Sequence, residues 1–591
     1  MIQRILFNIF CFSLIALNLH ASKAVRFFRD ITLNDGRVVS ATLVGDENMH
    51  FYKAIDGEII LFNSKGNYYY AASQEEIDSL KNISYNLEQP TANSQQPTAN
   101  SQRPSALSPQ PSSITSTSTN GRLSGFKLFP SVGTPKVLVL MVEFSDVSFT
   151  FGKEDIDKIL NSSEMTTDVR VNGVVAKSQG SVAEYFNHCS GGQFHPQFDV
   201  YGTFKVNNTA SYYSSRETTF IKDACEAAKD YVDFTEYDQD GDGYVDLVYI
   251  MYAGYGGTWG NEGTIWPKVQ YTSGSFCTVD GVKVHRAGMS NEISFTPEIN
   301  KNNFNGEKQI VGIGIFCHEF CHAMGITDMY ANNGTWSDKT WYDNQSMEDW
   351  SLMDGGENRL NGCLPTPLNA FERYLFGWID DIPVLDQPAR VTLTPLQDGG
   401  QAYKILGNND NEYWIIEAIP SDKKWYMSFK GHTGTGMLVY HINTDIKNFS
   451  IPTMVNGTHG KSGITIVPAD GRLIGYFNYN ETQSDYEASM LGDPFPGSQS
   501  VTTLTDWWAK DGAVEKPIND IVQNADYSVS FKFMYSRGDV NGDGVINGTD
   551  IQAIINCIVS NQYDVRADVN EDDLVNGTDI QEIINIIVIG E

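Results

Sequence analysis

Hydrophobic and polar positions alternate in different rhythms along this chain, and the changes of rhythm divide it. After Arg4 comes an apolar run from Ile5 to Leu19, closed by the small residues Ala21 and Ser22. A positive residue, an apolar core and small residues, in that order, predict an export signal over residues 1–21, cleaved near Ala21. Short β-type runs follow, each bounded by turn residues: Ile31-Thr32-Leu33 before Asn34-Asp35-Gly36, then Val38 to Leu43, then Ile55-Asp56-Gly57 before Glu58 to Leu61. They predict a β-rich module over residues 22–86. Residues 87–125 lose all rhythm. Gln89 to Gln95 is repeated at once as Gln96 to Gln102, and Ser, Thr, Pro, Gln and Asn dominate. Such a stretch buries too little apolar surface to fold, so it reads as a linker. A small exported module tethered ahead of a large domain suggests a propeptide.

From about Lys127 the pattern becomes globular. Val137 to Val142 is continuously apolar, as a buried strand is. Ser181 to Cys189 and Thr219 to Tyr231 read as helices, Asp246 to Tyr252 as another apolar strand, and Gln309 to Met324 as one long helix. Beyond Trp378 short alternating strands take over: Tyr413 to Ala418, Gly436 to Ile442, Gly463 to Val467 and Tyr527 to Phe533. The pattern predicts an α+β domain over residues 126–380 and a β-sandwich-like domain over 381–535. Residues 536–591 hold an internal repeat.

The long predicted helix carries the chemistry. His318-Glu319-Phe320-Cys321-His322 places two imidazoles four residues apart, on one helical face, within reach of one metal ion. Glu319 stands beside the first of them, where it can polarise a water activated by the metal; this is the zincin signature. Gly325 can end the helix in the left-handed conformation and turn the chain back. Asp328 then becomes the third ligand, and a fourth position stays open, as catalytic zinc requires. The extended HExxHxxGxxD pattern resembles the metzincin motif with Asp in place of the third His. Ser351-Leu352-Met353-Asp354 looks like the Met-turn, with Met353 beneath the metal. The expected domain is zincin- or metzincin-like, a mixed sheet with an active-site helix, and holds one zinc.

Three further stretches read as calcium loops. Asp238-Gln239-Asp240-Gly241-Asp242-Gly243-Tyr244-Val245-Asp246 alternates oxygen ligands at Asp238, Asp240 and Asp242, followed by the Tyr244 carbonyl and Asp246. Carboxylates this close repel one another unless a cation sits among them. The C-terminal copies run from Asp539 to Asp550 and from Asp568 to Asp579, with a period of about 29 residues. Their ligands are Asp539, Asn541, Asp543, the Val545 carbonyl, Asn547 and Asp550 in the first. In the second they are Asp568, Asn570, Asp572, the Leu574 carbonyl, Asn576 and Asp579. Each copy runs into an apolar helix, Ile551 to Val559 and Ile580 to Val588. Asp573 replaces the usual Gly at position 6 of the second loop, which predicts strain or weaker calcium binding there. One calcium is expected in the catalytic domain and up to two in the repeat.

Charge and cysteine content narrow the function classes. Acidic residues number 73 against 41 basic ones, for a net charge of −32. No basic surplus exists to neutralise phosphates, so nucleic acid is not an expected partner. No later apolar run is long enough to span a bilayer, so no transmembrane segment is expected. Eight cysteines, one of them Cys11 inside the signal, are too sparse for a disulfide scaffold and leave an odd number after cleavage. Cys317 and Cys321 read as core packing.

With these residues in view, the chain resembles a known family. His318 to Tyr330, read with Asp349 to Met353, is similar to the M6 metallopeptidases, relatives of immune inhibitor A. Ser181-Val182-Ala183-Glu184-Tyr185-Phe186 with Ser190-Gly191-Gly192, Leu368 to Phe371 with Leu375 to Trp378, and Gly436 to His441 resemble further segments of that family in the same order. The resemblance spans about residues 25–535. Lys268, after Ile265-Trp266-Pro267, departs from it where the family usually has a His near Trp. The resemblance implies that His318, His322 and Asp328 bind zinc and that Glu319 is the general base of a secreted endopeptidase made as a zymogen. Over about residues 537–591 the calcium repeat resembles a type I dockerin. That resemblance implies docking onto a cohesin-bearing protein. The competing reading is a peptidase fold serving as an adhesin or scaffold component, with the dockerin as its working end.

Overall fold

The computed structural model describes residues 18–25, 28–46, 50–77, 123, 128–163, 168–171, 174–330, 346–421, 425, 434–445, 449–450, 455–456, 462–475, 483–510 and 512–589. The expected signal as far as residue 17 and the expected linker, apart from Leu123, lie outside them. Among the described residues the fold is mixed α/β, with several separate sheets.

The apolar run at Val137 builds the centre of the largest sheet. Strand Lys136–Glu143 pairs in parallel with Gln197–Lys205 on one side and with Val248–Tyr255 on the other. Val248–Tyr255 pairs in parallel with Arg286–Ser294. A strand inside a parallel sheet is covered on both faces, which is why its sequence does not alternate. Its two faces nonetheless enter different cores. Val137, Val139 and Met141 meet Phe316 and Phe320, while Leu138, Leu140 and Val142 meet Phe220, Ile221 and Ala224 of the helix Glu217–Ala228. Lys268–Tyr271 adds an antiparallel strand beside Arg286–Ser294. Asn18–Ala21 then pairs antiparallel with Lys268–Tyr271, Leu19 opposite Gln270. Residues 18–21, expected at the end of the export signal, are thus an edge strand of this sheet.

The helix that carries the metal motif is shorter than the sequence pattern predicts. It spans Gly314–Ala323, not Gln309 to Met324. Gln309 and Ile310 pair instead with Ser294 and Ile293. The reason is close backbone contact. A Cβ at Gly314 would stand 1.9 Å from the Glu357 carbonyl oxygen, and one at Gly312 would stand 2.3 Å from the Gly362 carbonyl carbon. The helix starts where the segment Glu357–Gly362 crosses it. Every residue in it is buried, so it shows no polar face.

Three smaller parts surround this unit. Phe28–Thr32, Val38–Gly45, His50–Ala54, Ile59–Asn63 and Tyr68–Ala71 form a five-stranded antiparallel sheet in sequence order. Beyond Trp378, the sheet of Ala389–Leu393, Val529–Phe533 and Ile518–Gln523 shares one core with the sheet of Tyr403–Leu406, Glu412–Ile419, Gly436–Asn443 and Ile464–Ile466. Trp414, Trp507 and Phe531 lie in that core. Helices Gly548–Ser560 and Gly577–Ile589 close the chain around Val540, Ile554, Val569 and Ile583. No described helix is long and apolar enough to cross a membrane. The seven described cysteines form no disulfide, and Cys317 and Cys321 are fully buried in the main core.

Candidate metal centre

One helical turn and one glycine assemble the cluster. His318 and His322 project from the same face of Gly314–Ala323, and their Nε2 atoms lie 3.1 Å apart. Gly325, at φ +109°, ends the helix; a Cβ there would stand 2.7 Å from the Leu128 side chain as well as being strained. The turn brings Asp328 back, with Oδ1 3.2 Å from His318 Nε2 and 3.2 Å from His322 Nε2. The three side chains are almost wholly buried.

The donor set fits a cation. His318 Nδ1 lies 2.9 Å from the Leu352 carbonyl and His322 Nδ1 lies 2.8 Å from the Ile326 carbonyl. Each Nδ1 therefore carries the proton and donates it, which leaves both Nε2 lone pairs facing each other and the Asp328 carboxylate. Two lone pairs and an anion at such distances repel without a positive charge between them. Backbone carbonyls that fix the tautomer of an imidazole are the usual support of a metal-binding histidine. Leu352 belongs to the predicted Met-turn. Met353 is buried there, and its carbonyl accepts from the Met329 N–H at 2.8 Å, tying this turn to the segment that carries Asp328.

Two carboxylates and an imidazole share this buried space, and each is pushed off its ordinary value. Burial pushes Glu319 up to about 8, against the opposing pull of His318. Burial likewise pushes Glu357 up to about 7. Burial works against a charged His318, but Glu357, Asp328 and Glu319 outweigh it and push the imidazole up to about 10. All three shifts run upward, towards the protonated form, as expected of buried acids and of an imidazole among carboxylates. Glu357 was not visible as a site residue in the sequence. Its Oε2 lies 3.4 Å from His318 Nδ1. The Gly355-Gly356 pair in front of it, which packs against the Ser351 carbonyl and Asp349, is the signal that marks the position.

The sequence pattern also gave no sign of what covers the cluster. Ser22 donates to Glu319 Oε1 from its backbone N–H at 2.8 Å and from its hydroxyl at 2.7 Å. Trp266 Nε1 holds the Ser22 carbonyl at 2.7 Å. Lys23 Nζ lies 2.9 Å from Asp354 Oδ1 and 3.6 Å from Glu348 Oε2, with its side chain only 3 % exposed. Burial disfavours the ammonium, but Asp354 and Glu348 more than offset this and raise its pKa. Lys268, the departure noted above, is buried and pairs with Glu217 at 2.9 Å. Tyr330 is buried under the Lys23 ammonium, 5.7 Å from the ring centroid.

Residues 129–375 match the catalytic domain of the immune inhibitor A peptidases, family M6, and residues 537–588 match the type I dockerin domain. The chain carries an M6 peptidase domain and a type I dockerin. The M6 match contains the whole histidine–aspartate cluster and the turn at Met353. It does not extend over the N-terminal sheet or residues 376–535, for which the resemblance remains a matter of individual segments. No curated protein matches the chain.

The calcium-type loops of the M6 domain and the dockerin are built differently. Asp238, Asp240 and Asp242 bring carboxylate oxygens within 4.8 Å of one another. Asp238 accepts the N–H groups of Asp242 and Gly243, both at 2.9 Å, and Gly241 and Gly243 take φ +73° and +85°. Asp246 is not in that group; its Oδ2 accepts from the Gln239 amide at 2.8 Å, and burial pushes it up to about 6. Tyr244 begins the short strand that pairs with Lys283. In the dockerin, Asp539 and Asp568 gather backbone N–H groups of their own loops. Asp543 and Asp572 accept the N–H groups of Val545 and Leu574, while Asn541 and Asn570 accept those of Asp543 and Asp572. Asn547 and Asn576 accept from Thr549 and Thr578 at the starts of the two helices. Asp550 and Asp579 are fully buried and hold backbone N–H groups at both ends of their loops.

Proposed function

We propose that this protein is a secreted zinc endopeptidase, made as a zymogen and attached to a cohesin-bearing partner through a calcium-dependent dockerin. The convergence of His318, His322 and Asp328 beside Glu319, inside a segment matched by the M6 family, carries the reading. These three residues would hold the zinc. A bound zinc supplies Lewis acidity, polarising the scissile carbonyl and acidifying a water. Glu319 takes the proton of the attacking water and delivers it to the leaving amine. Its Oε2 is buried and has no hydrogen-bond partner among the described residues, so this oxygen is the one available to the water. Leu352 and Ile326, through their carbonyls, keep the two imidazoles in the ligating tautomer, and Glu357 stands behind His318.

Latency is supported by the residues that lie on Glu319. With Ser22 hydrogen-bonded to the base and Lys23 buried against Asp354, residues 22–25 would stand in the path of a substrate backbone. Ala24 and Val25 continue that segment and tie it to Gly45 and Thr258. We assign the N-terminal sheet, with residues 22–25, the role of propeptide. The loop at Asp238–Asp246 and the two dockerin loops are assigned to calcium, and the two sheets beyond Trp378 to a sandwich.

The test is digestion of casein and gelatin by residues 126–591, supplied with zinc and calcium. Glu319→Ala and a chelator run beside it. Cleavage lost in both controls is the expected result. A zinc-loaded protein that cleaves nothing would favour the adhesin or scaffold reading.

A further inference from the structure

The two dockerin loops are copies of one sequence, yet they differ at the two positions where a side chain is least welcome. Positions 4 and 6 of the first loop are Gly542 and Gly544, at φ +77° and +79°. In the second loop they are Glu571 and Asp573, at φ +63° and +64°. The left-handed backbone is the same in both, so the second loop keeps two carboxylates where glycine would be unstrained. Neither position supplies an oxygen in the alternating ligand pattern of such loops, so calcium does not account for them.

Their contacts do. Arg390 and Lys532 are direct cross-strand partners on Ala389–Leu393 and Val529–Phe533. Lys532 Nζ lies 3.0 Å from Glu571 Oε1. Arg390 reaches Asp573 Oδ1 at 2.6 Å and Asp568 Oδ2 at 2.7 Å with the same nitrogen. Tyr563 adds its hydroxyl to Asp568 Oδ2 at 3.1 Å, and Arg537 donates to the Val569 carbonyl at 3.0 Å. Asp573 is 86 % exposed, so its ion pair alone is weak; the Asp568 side chain is wholly buried and is screened least. Only residues 534–536 separate the last strand from Arg537, at most about 11 Å of extended chain.

We infer that the second dockerin loop is a docking surface for the chain's own β-rich region. Glu571, Asp573 and Asp568 seat on the Arg390–Lys532 pair and fix the dockerin in one orientation. A partner that grips the dockerin then holds the rest of the protein in a set direction, not on a swinging tether. Asp568 is also the first oxygen donor of its loop.

The experiment measures distance within the full chain, with calcium present. Because native thiols are numerous, spin labels are placed on p-acetylphenylalanine introduced at Val522 and Val559, which are 53 % and 81 % exposed. Double electron–electron resonance is recorded for the parent, for Glu571→Gly with Asp573→Gly, and for Arg390→Gln with Lys532→Gln. The glycine variant copies the first loop and relieves backbone strain, so loss of loop folding is not expected from it. The parent should give one narrow distance, and both variants should at least double its width. A distribution unchanged from the parent in either variant would overturn the inference.

Discussion

Replacing Lys23 by methionine tests whether the N-terminal segment restrains the enzyme. The ammonium is buried, 2.9 Å from Asp354 and 3.6 Å from Glu348, and methionine keeps most of its length while removing the charge. Removing one partner of a buried ion pair typically costs about 3–5 kcal/mol, because the other charge is left uncompensated. Asp354 itself is supported by the N–H groups of Met347 and Glu348 at 3.1 and 2.9 Å and by the Ser346 hydroxyl, so the turn should persist. The cost then falls on the docked state of the segment. At about 1.4 kcal/mol per decade, the open fraction should rise roughly 100- to 4,000-fold. The assay is the initial rate of the uncut chain on a quenched fluorescent peptide, bounded above by the rate of residues 126–591. Activity should move towards that bound in Lys23→Met and stay absent when Glu319→Gln is added. An uncut Lys23→Met chain as inactive as its parent, with residues 126–591 fully active, would show that the Lys23 ion pair does not hold the segment over the site.

Other expectations follow from the same geometry. Glu319→Gln should retain zinc, measured by metal analysis, and lose roughly 10²–10⁴ in kcat; an active variant would remove Glu319 from the proton transfer. Burial pushes Glu372 up to about 7 from 4.5, so its folded form holds the proton more tightly. The stability it contributes is complete below about pH 4.5 and is lost as the pH rises through 7, a change of about 3 kcal/mol. Glu372→Gln should flatten that decline in urea unfolding between pH 5 and 8, and an unaltered slope would count against it. Chelating calcium should lower Tm in the parent; with calcium present, Asp238→Ala should lower Tm by less than chelation does, while reducing the calcium count by one. An unchanged calcium count would show that the Asp238 loop is not a calcium site.

Much of this architecture is legible in the sequence wherever spacing alone decides position. The four-residue step from His318 to His322 and the glycine at 325 depend on local geometry, and the cluster forms as that geometry dictates. The strands at Val137 and Gly436 are likewise set by local apolar runs. What escapes the sequence depends on contacts between distant segments. The start of the helix that carries His318 and His322 is fixed by the backbone crossing at Glu357 and Gly362, which no periodicity near Gln309 reveals. Glu357 reaches His318 across the same crossing. Ser22 meets Glu319 across 297 residues, and no pattern within either segment announces the meeting. Asp573 breaks the glycine rule of its loop, which is readable as a departure, but its reason lies on Arg390.

The proposed function stands on a catalytic zinc held by His318, His322 and Asp328. Anomalous diffraction from crystals of residues 126–591, recorded on either side of the zinc absorption edge, tests it most directly. One strong zinc-specific peak is expected, in contact with both Nε2 atoms and the Asp328 carboxylate. A zinc peak at other residues, or none there in protein that still cleaves casein, would contradict it.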